Sequence, residues 1–247
     1  MLRKITQIAK TLDTLSAKNL HFNARLPVTL HVLKKLNNYE YLVQIGTKTL
    51  QTTSYKPLVI GQKYWGQMNN DRFSNIVLSN ITPQPKALAI VQISMLDSIT
   101  LQETLASQKP FAALGEFVIS QMQNTHSKEE FQYLGFVLLG LGQKVLNISF
   151  EDKGKKPCLL QIKGDKQILI FRAIMPTLGI IGGMISFIDS LHPRLRLDIK
   201  TNFESTLWLL EQNLKSLGGF DEVSLRHDAK LKVLFETQED NLLNLRG

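Results

Sequence analysis

Between Pro176 and Leu217 the chain spells out one supersecondary unit, and this stretch limits the fold more than any other. Leu195, Leu197 and Ile199 alternate with Arg196, Asp198 and Lys200, which gives a strand one apolar and one charged face. Such a strand is half buried. Just beyond it, Thr201-Asn202-Phe203-Glu204 has the spacing of a capping box, so the sequence predicts a helix start there. Phe203, Leu207, Leu210, Leu214 and Leu217 then recur at helical intervals, and Gly218-Gly219 offers a residue able to take positive φ at the helix end. The unit reads strand, helix, stop.

A chain of 247 residues, 43% hydrophobic and 20% charged, is long enough for a well-buried core and is expected to divide into at least two domains. The longest uncharged run, 173–188, is too short to span a bilayer and is broken by Pro176, Gly179, Gly182 and Gly183, so no transmembrane segment is expected. No apolar run with a small-residue cleavage pattern follows Arg3 and Lys4, and the mature chain is expected to begin at Met1. The single cysteine, Cys158, cannot form an internal disulfide, which suits a cytoplasmic protein, and reads as a small core residue.

The net charge of +8 is concentrated near the start, where Arg3, Lys4, Lys10, Lys18, Arg25, Lys34 and Lys35 face only Asp13. Arg3, Lys4, Lys10, Lys34 and Lys35 are the candidate basic contact surface. Nucleic acid, an anionic membrane surface or an acidic protein could meet it, and charge alone does not choose. Leu2, Ile5, Ile8, Ala9, Leu12 and Leu15 lie at helical spacing, so residues 1–25 read as a basic amphipathic helix.

Residues 26–82 change to short strands with turn signals, at Asn37-Asn38, Gly46 and Gly61, and predict a small antiparallel β-barrel. Tyr39, Tyr41, Tyr64 and Trp65 could serve nucleic-acid binding there, although Tyr39 and Tyr41 also alternate with Val43 and Ile45 as core residues would. Thr82-Pro83-Gln84-Pro85 breaks the pattern. Residues 86–150 read as a helical segment with helices over 87–106, 111–122 and 128–146. The polar turn 152–157 marks a second boundary, and 151–247 reads as strands over 158–163, 167–174, 180–188 and 195–200, the helix, and short strands at 223–225 and 231–235. The expected fold class is therefore α+β: an N-terminal helix and small antiparallel barrel, a middle helical segment, and a C-terminal α/β sandwich with a helix on a mostly antiparallel sheet.

Catalytic motifs do not emerge. Gly46-Thr47-Lys48-Thr49 lacks the adjacent Gly-Lys of a phosphate loop, Gly140-Leu141-Gly142 is followed by Val145 where a dinucleotide fingerprint needs glycine, and Ser186 lacks the closing glycine of a nucleophile elbow. The five histidines show no paired ligand spacing. Glu129-Glu130 and Asp221-Glu222 are sequence neighbours that point apart. No catalytic residue, cofactor, metal or small-molecule substrate is expected.

The run Pro176-Thr177-Leu178-Gly179, an apolar strand, Leu195-x-Leu-x-Ile199 and the Leu-rich helix resembles the C-terminal domain of the flagellar hook-length control protein family. Residues 26–81, with Tyr41-Leu42-Val43, Gly46 and Pro57-Leu58-Val59-Ile60-Gly61, resemble a segment of the family's longer members. The resemblance implies a non-enzymatic protein of flagellar assembly that binds the cytoplasmic domain of the export-gate switch protein of the type III export apparatus. It further implies that Pro176, Leu178 and Gly179 make the protein contact, and that the protein is cytoplasmic or passes through the export apparatus. A nucleic-acid-binding module is the alternative, on the strength of the barrel and the basic N-terminus.

Overall fold

The computed structural model describes residues 26–70, 76–91, 108–151, 156–165, 167–188, 194–214 and 217–237. The expected helix over 1–25, with Arg3, Lys4 and Lys10, lies outside the described residues, as does most of the expected helix over 87–106. The class is α+β, with two mostly antiparallel sheets and four described helices.

The first sheet holds β1 (Val28–Lys35), β2 (Glu40–Ile45), β3 (Lys48–Thr53), β4 (Lys63–Asn70) and β5 (Ile76–Pro83) in the order β3-β2-β1-β4-β5. Its hairpins form where the turn chemistry sits. Asn37 Oδ1 accepts from the backbone N–H groups of Tyr39 and Glu40, and Gly46 and Gly61 take φ of +60° and +80°. The strands are those the alternation predicts. No ladder joins β3 to β5 among the described residues, so the pairings give an open sheet rather than a closed barrel.

Leu30, Val32, Tyr41, Val43, Leu58 and Tyr64 form the sheet's own small core. The phenol oxygens of Tyr41 and Tyr64 accept from the N–H groups of Leu58 and Val59, which ties the 57–60 loop over that core. Trp65, the next residue in β4, points to the other face and is fully buried in the large core of the molecule.

Four helices are described: α1 (Lys86–Ile90), α2 (Pro110–Asn124), α3 (Lys128–Gly142) and α4 (Glu204–Asn213). Proline at the first position starts α2, where its missing N–H costs nothing. Ser127 caps α3 by accepting from Glu130 N. That helix stops four residues earlier than the sequence suggests, because Gly140 lies against Asn147 and Val145 N returns to Gly140 O, turning the chain into a strand.

The second sheet has the order β11-β10-β9-β8-β7-β6, built from β6 (Leu146–Glu151), β7 (Pro157–Asp165), β8 (Ile168–Met175), β9 (Gly179–Phe187), β10 (Leu195–Thr201) and β11 (Glu222–His227). All pairings are antiparallel except β10 with β11, which α4 connects as a parallel crossover. β6 and β7 pair antiparallel across the expected boundary, and α1, α2 and α3 share one core with this sheet. Cys158 is buried there.

Two further expectations change. Thr201 is the last residue of β10 and not a helix cap: its hydroxyl donates to Phe203 O, and Phe203 occupies the cap position without a side-chain bond. The ladder carries the strand through Thr201, so the hydroxyl is drawn inward. The buried stripe of α4 is correspondingly Thr206, Leu209 and Leu210, with Phe203 before it, while Leu207, Leu214 and Leu217 are half buried.

Residues 231–235 are also not a strand. They cross the face of β7 and β8, and side chains replace a ladder: Gln161 Oε1 accepts from Leu234 N at 2.8 Å and Phe235 N at 3.3 Å, Gln161 Nε2 donates to Phe235 O at 2.7 Å, and Arg172 Nε donates to Lys232 O at 3.0 Å. Phe235 meets Phe136 of α3 at 5.3 Å between ring centres. Gln161 is fully buried, so truncation orphans backbone groups in the interior. Gln161→Ala should lower unfolding stability by about 2–4 kcal/mol in chemical denaturation, with protease cutting appearing first near residue 234.

Candidate functional site

The turn 176–178 between β8 and β9 carries the Pro-x-Leu-Gly motif, and three parts of the molecule converge on it. Gly179 opens β9 with φ +79°, where a side chain is strained. A Cβ there would lie 2.4 Å from Asn202 Oδ1 and 2.6 Å from the Phe203 ring, so glycine is also required by space. Asn202 uses that closeness by accepting from Ile180 N at 2.8 Å. The end of β10 is thereby locked to the start of β9.

Leu178 is fully buried, and its carbonyl accepts from the Thr206 hydroxyl of α4 at 2.8 Å. The carbonyl of Pro176 accepts from Trp65 Nε1 at 3.1 Å and Thr29 Oγ1 at 2.9 Å. Thr29 is held in turn by Gln84 Nε2 at 3.0 Å, and Trp65 stacks edge-on against Phe203 with ring centres 6.4 Å apart. Gln67 Nε2 reaches Ser205 Oγ at 3.4 Å. The motif is thus where the first sheet, the second sheet and α4 are joined.

This placement separates the expected site residues. Pro176 is half buried, and Leu178 and Gly179 are buried, so the latter two present no surface for a partner in this conformation. Lys34 and Lys35 are exposed at the end of β1, remote in sequence and in the strand ladder from the turn. Of the four aromatic candidates in the first sheet, Tyr41, Tyr64 and Trp65 are core residues, and Tyr39 is exposed.

Charged groups on the polar face of β10 and β11 neutralise one another. Asp198 accepts from Ser224 and lies 3.3 Å from Arg196 and 3.8 Å from Arg226, while Lys200 pairs with Asp228 at 3.5 Å. Burial lowers the Arg172 pKa below the usual guanidinium range, and the charge of Asp228 acts in the opposite direction. Gly182 makes room for this arginine, since a Cβ would sit 2.8 Å from Arg172 Cδ.

Among the described residues no cluster of histidine, cysteine and carboxylates could hold a metal, and no helix is long and apolar enough to cross a membrane. A cavity of about 20 Å³ between α2, α3 and β6, lined by Phe117, Val118, Tyr133, Val137, Asn147 and Ser149, is the size of a water and not of a substrate. Burial raises the Tyr133 pKa above 10.0, against the lowering effect of its hydrogen bonding with Ser149. The neutral phenol is the form the fold favours, so its contribution is complete below the unfolded pKa and lost as pH rises through about 10 and beyond. Denaturation at about pH 9 and about pH 11 should show a smaller loss of stability for Tyr133→Phe than for the parent.

Set against protein-family models, curated proteins and solved structures, the chain matches none of them.

Proposed function

We propose that this is a non-enzymatic, hook-length-control-like protein of the flagellum, which binds type III export components in the cytoplasm and influences which substrates the export apparatus accepts. The observation that supports this reading is one continuous order of elements. The Pro176-x-Leu178-Gly179 turn leads into β9, then β10 and α4, in the order on which the sequence resemblance rests, and β11 is an addition to that order.

The mechanism in this reading is protein contact, and the partner is the cytoplasmic domain of the export-gate switch protein. Leu178 and Gly179 act by position: they fix α4 through Leu178 O and Thr206. Contact falls on the outer side of α4, where Trp208 keeps 45% of its surface exposed between Glu204 and Glu211. Half-exposed tryptophans supply large contact area at little entropic cost and dominate interface energetics.

Capture of the purified switch-protein domain by the full chain tests this. Trp208→Ala should reduce capture at least tenfold, roughly the 1.4 kcal/mol or more expected of an interface anchor, while leaving the unfolding transition near its parent position. Equal capture by parent and variant would remove the α4 surface from the account. Absence of capture by the parent would remove the partner.

A further inference from the structure

Two exposed aromatic rings meet where the β1–β2 turn and the β3–β4 loop come together. Tyr39, in the β1–β2 turn, is 55% exposed, and Tyr55, in the β3–β4 loop, is 88% exposed. Their rings lie 5.8 Å apart at 51°. The backbone fixes this meeting, because Ser54 N donates to Tyr39 O at 2.8 Å and Ser54 Oγ donates to Lys56 O at 2.7 Å. Rings left this exposed contribute little to the core, so packing does not account for the pair.

Lysines are near it in the chain and in the ladder. In the β1–β2 ladder Lys35 lies opposite Tyr41 and Lys34 opposite Leu42, so the two point to opposite faces, and Lys56 follows Tyr55 directly. All three are exposed. Residues 26–70 carry five lysines, Lys34, Lys35, Lys48, Lys56 and Lys63, against the single acid Glu40, whose carboxylate is engaged by Asn37 Nδ2. The surface therefore combines flat rings that accept stacking with a positive field that attracts phosphate.

We propose that the Tyr39–Tyr55 surface binds single-stranded nucleic acid, with bases stacked on the two rings and phosphates met by Lys35 and Lys56. Sequence preference is weak, since every base offers a face and the lysines read only charge. An acidic polypeptide would use the lysines and leave the rings unused, which is why the nucleic acid is the better fit. This binding is independent of the export reading and of α4.

The test is fluorescence anisotropy of the full chain with a labelled oligothymidylate of about 12 nucleotides, within the span of one small β domain. Tyr39→Ala and Tyr55→Ala should each weaken binding about tenfold or more, as loss of a stacked base does, and circular dichroism should be unchanged because both rings are largely exposed. Two phosphate contacts give a slope of log K against log salt near about −1.4, and Lys35→Glu should reduce it. No binding at low salt, or equal binding by the double tyrosine variant, overturns the proposal. So does poly-glutamate that displaces the oligonucleotide from parent and tyrosine variant alike.

Discussion

Gly179→Ala should lose about 3–5 kcal/mol of unfolding stability, a large share of the roughly 5–15 kcal/mol that holds a domain folded. Two costs combine. The left-handed backbone at φ +79° is worth about 1–2 kcal/mol against any residue with a Cβ, and that Cβ must also displace Asn202 and Phe203 from positions 2.4 and 2.6 Å away. Asn202 cannot move freely, because it satisfies Ile180 N in the interior. Asn202→Ala alone should therefore be destabilising by about 1–3 kcal/mol, and the two changes together should cost less than their sum, since they disrupt one contact. Denaturant midpoints for the four proteins of the cycle measure this. If Gly179→Ala unfolds with the parent's midpoint, the turn does not have the conformation described.

Trp65→Ala should cost about 3–5 kcal/mol and should release the first sheet from the second before either unfolds. The indole is fully buried, donates to Pro176 O and contacts Phe203, so truncation leaves both a cavity and an unpartnered carbonyl. Trp65→Phe separates these effects. It refills most of the volume but cannot donate, and should lose about 1–3 kcal/mol. Hydrogen exchange should then accelerate in β1 and β4 more than in β8 and β9. Uniform acceleration across both sheets would contradict the view that Trp65 and Thr29 are the attachment.

The strands of both sheets were legible because alternation is a local signal: Leu195 to Ile199 and Tyr41 to Val43 each declare a buried face without help from the rest of the chain. What stayed hidden depends on partners distant in sequence. Thr201 and Glu204 have the spacing of a capping box, yet Thr201 belongs to the ladder with Ile181 and turns its hydroxyl to Phe203. Residues 231–235 have strand alternation, yet Gln161 and Arg172 hold them across the sheet instead of at its edge. The barrel was inferred from strand spacing, which says nothing of whether the outer strands meet.

The turn that the sequence singles out lies where the two sheets and α4 meet, and Leu178 and Gly179 are buried in it. Pro-x-Leu-Gly marks a constrained turn, but periodicity cannot tell a residue that shapes a surface from one that forms it. A signal for the buried junction was present in Tyr64-Trp65. Adjacent aromatics in a strand point to opposite faces, so one of them must be covered by something outside its own sheet's core. That consideration also changes which substitution is informative. Leu178→Ala would remove a fully buried side chain and confuse unfolding with lost binding, whereas Trp208 lies on the outer side of α4.

The proposed function is contact with the export-gate switch protein, through α4 as positioned by the 176–179 turn. Isothermal titration of the folded full chain with the cytoplasmic domain of that protein tests it most directly. The account predicts a saturable heat at a fixed molar ratio that Trp208→Ala abolishes or weakens at least about tenfold. A titration without saturable heat for the folded parent would contradict it.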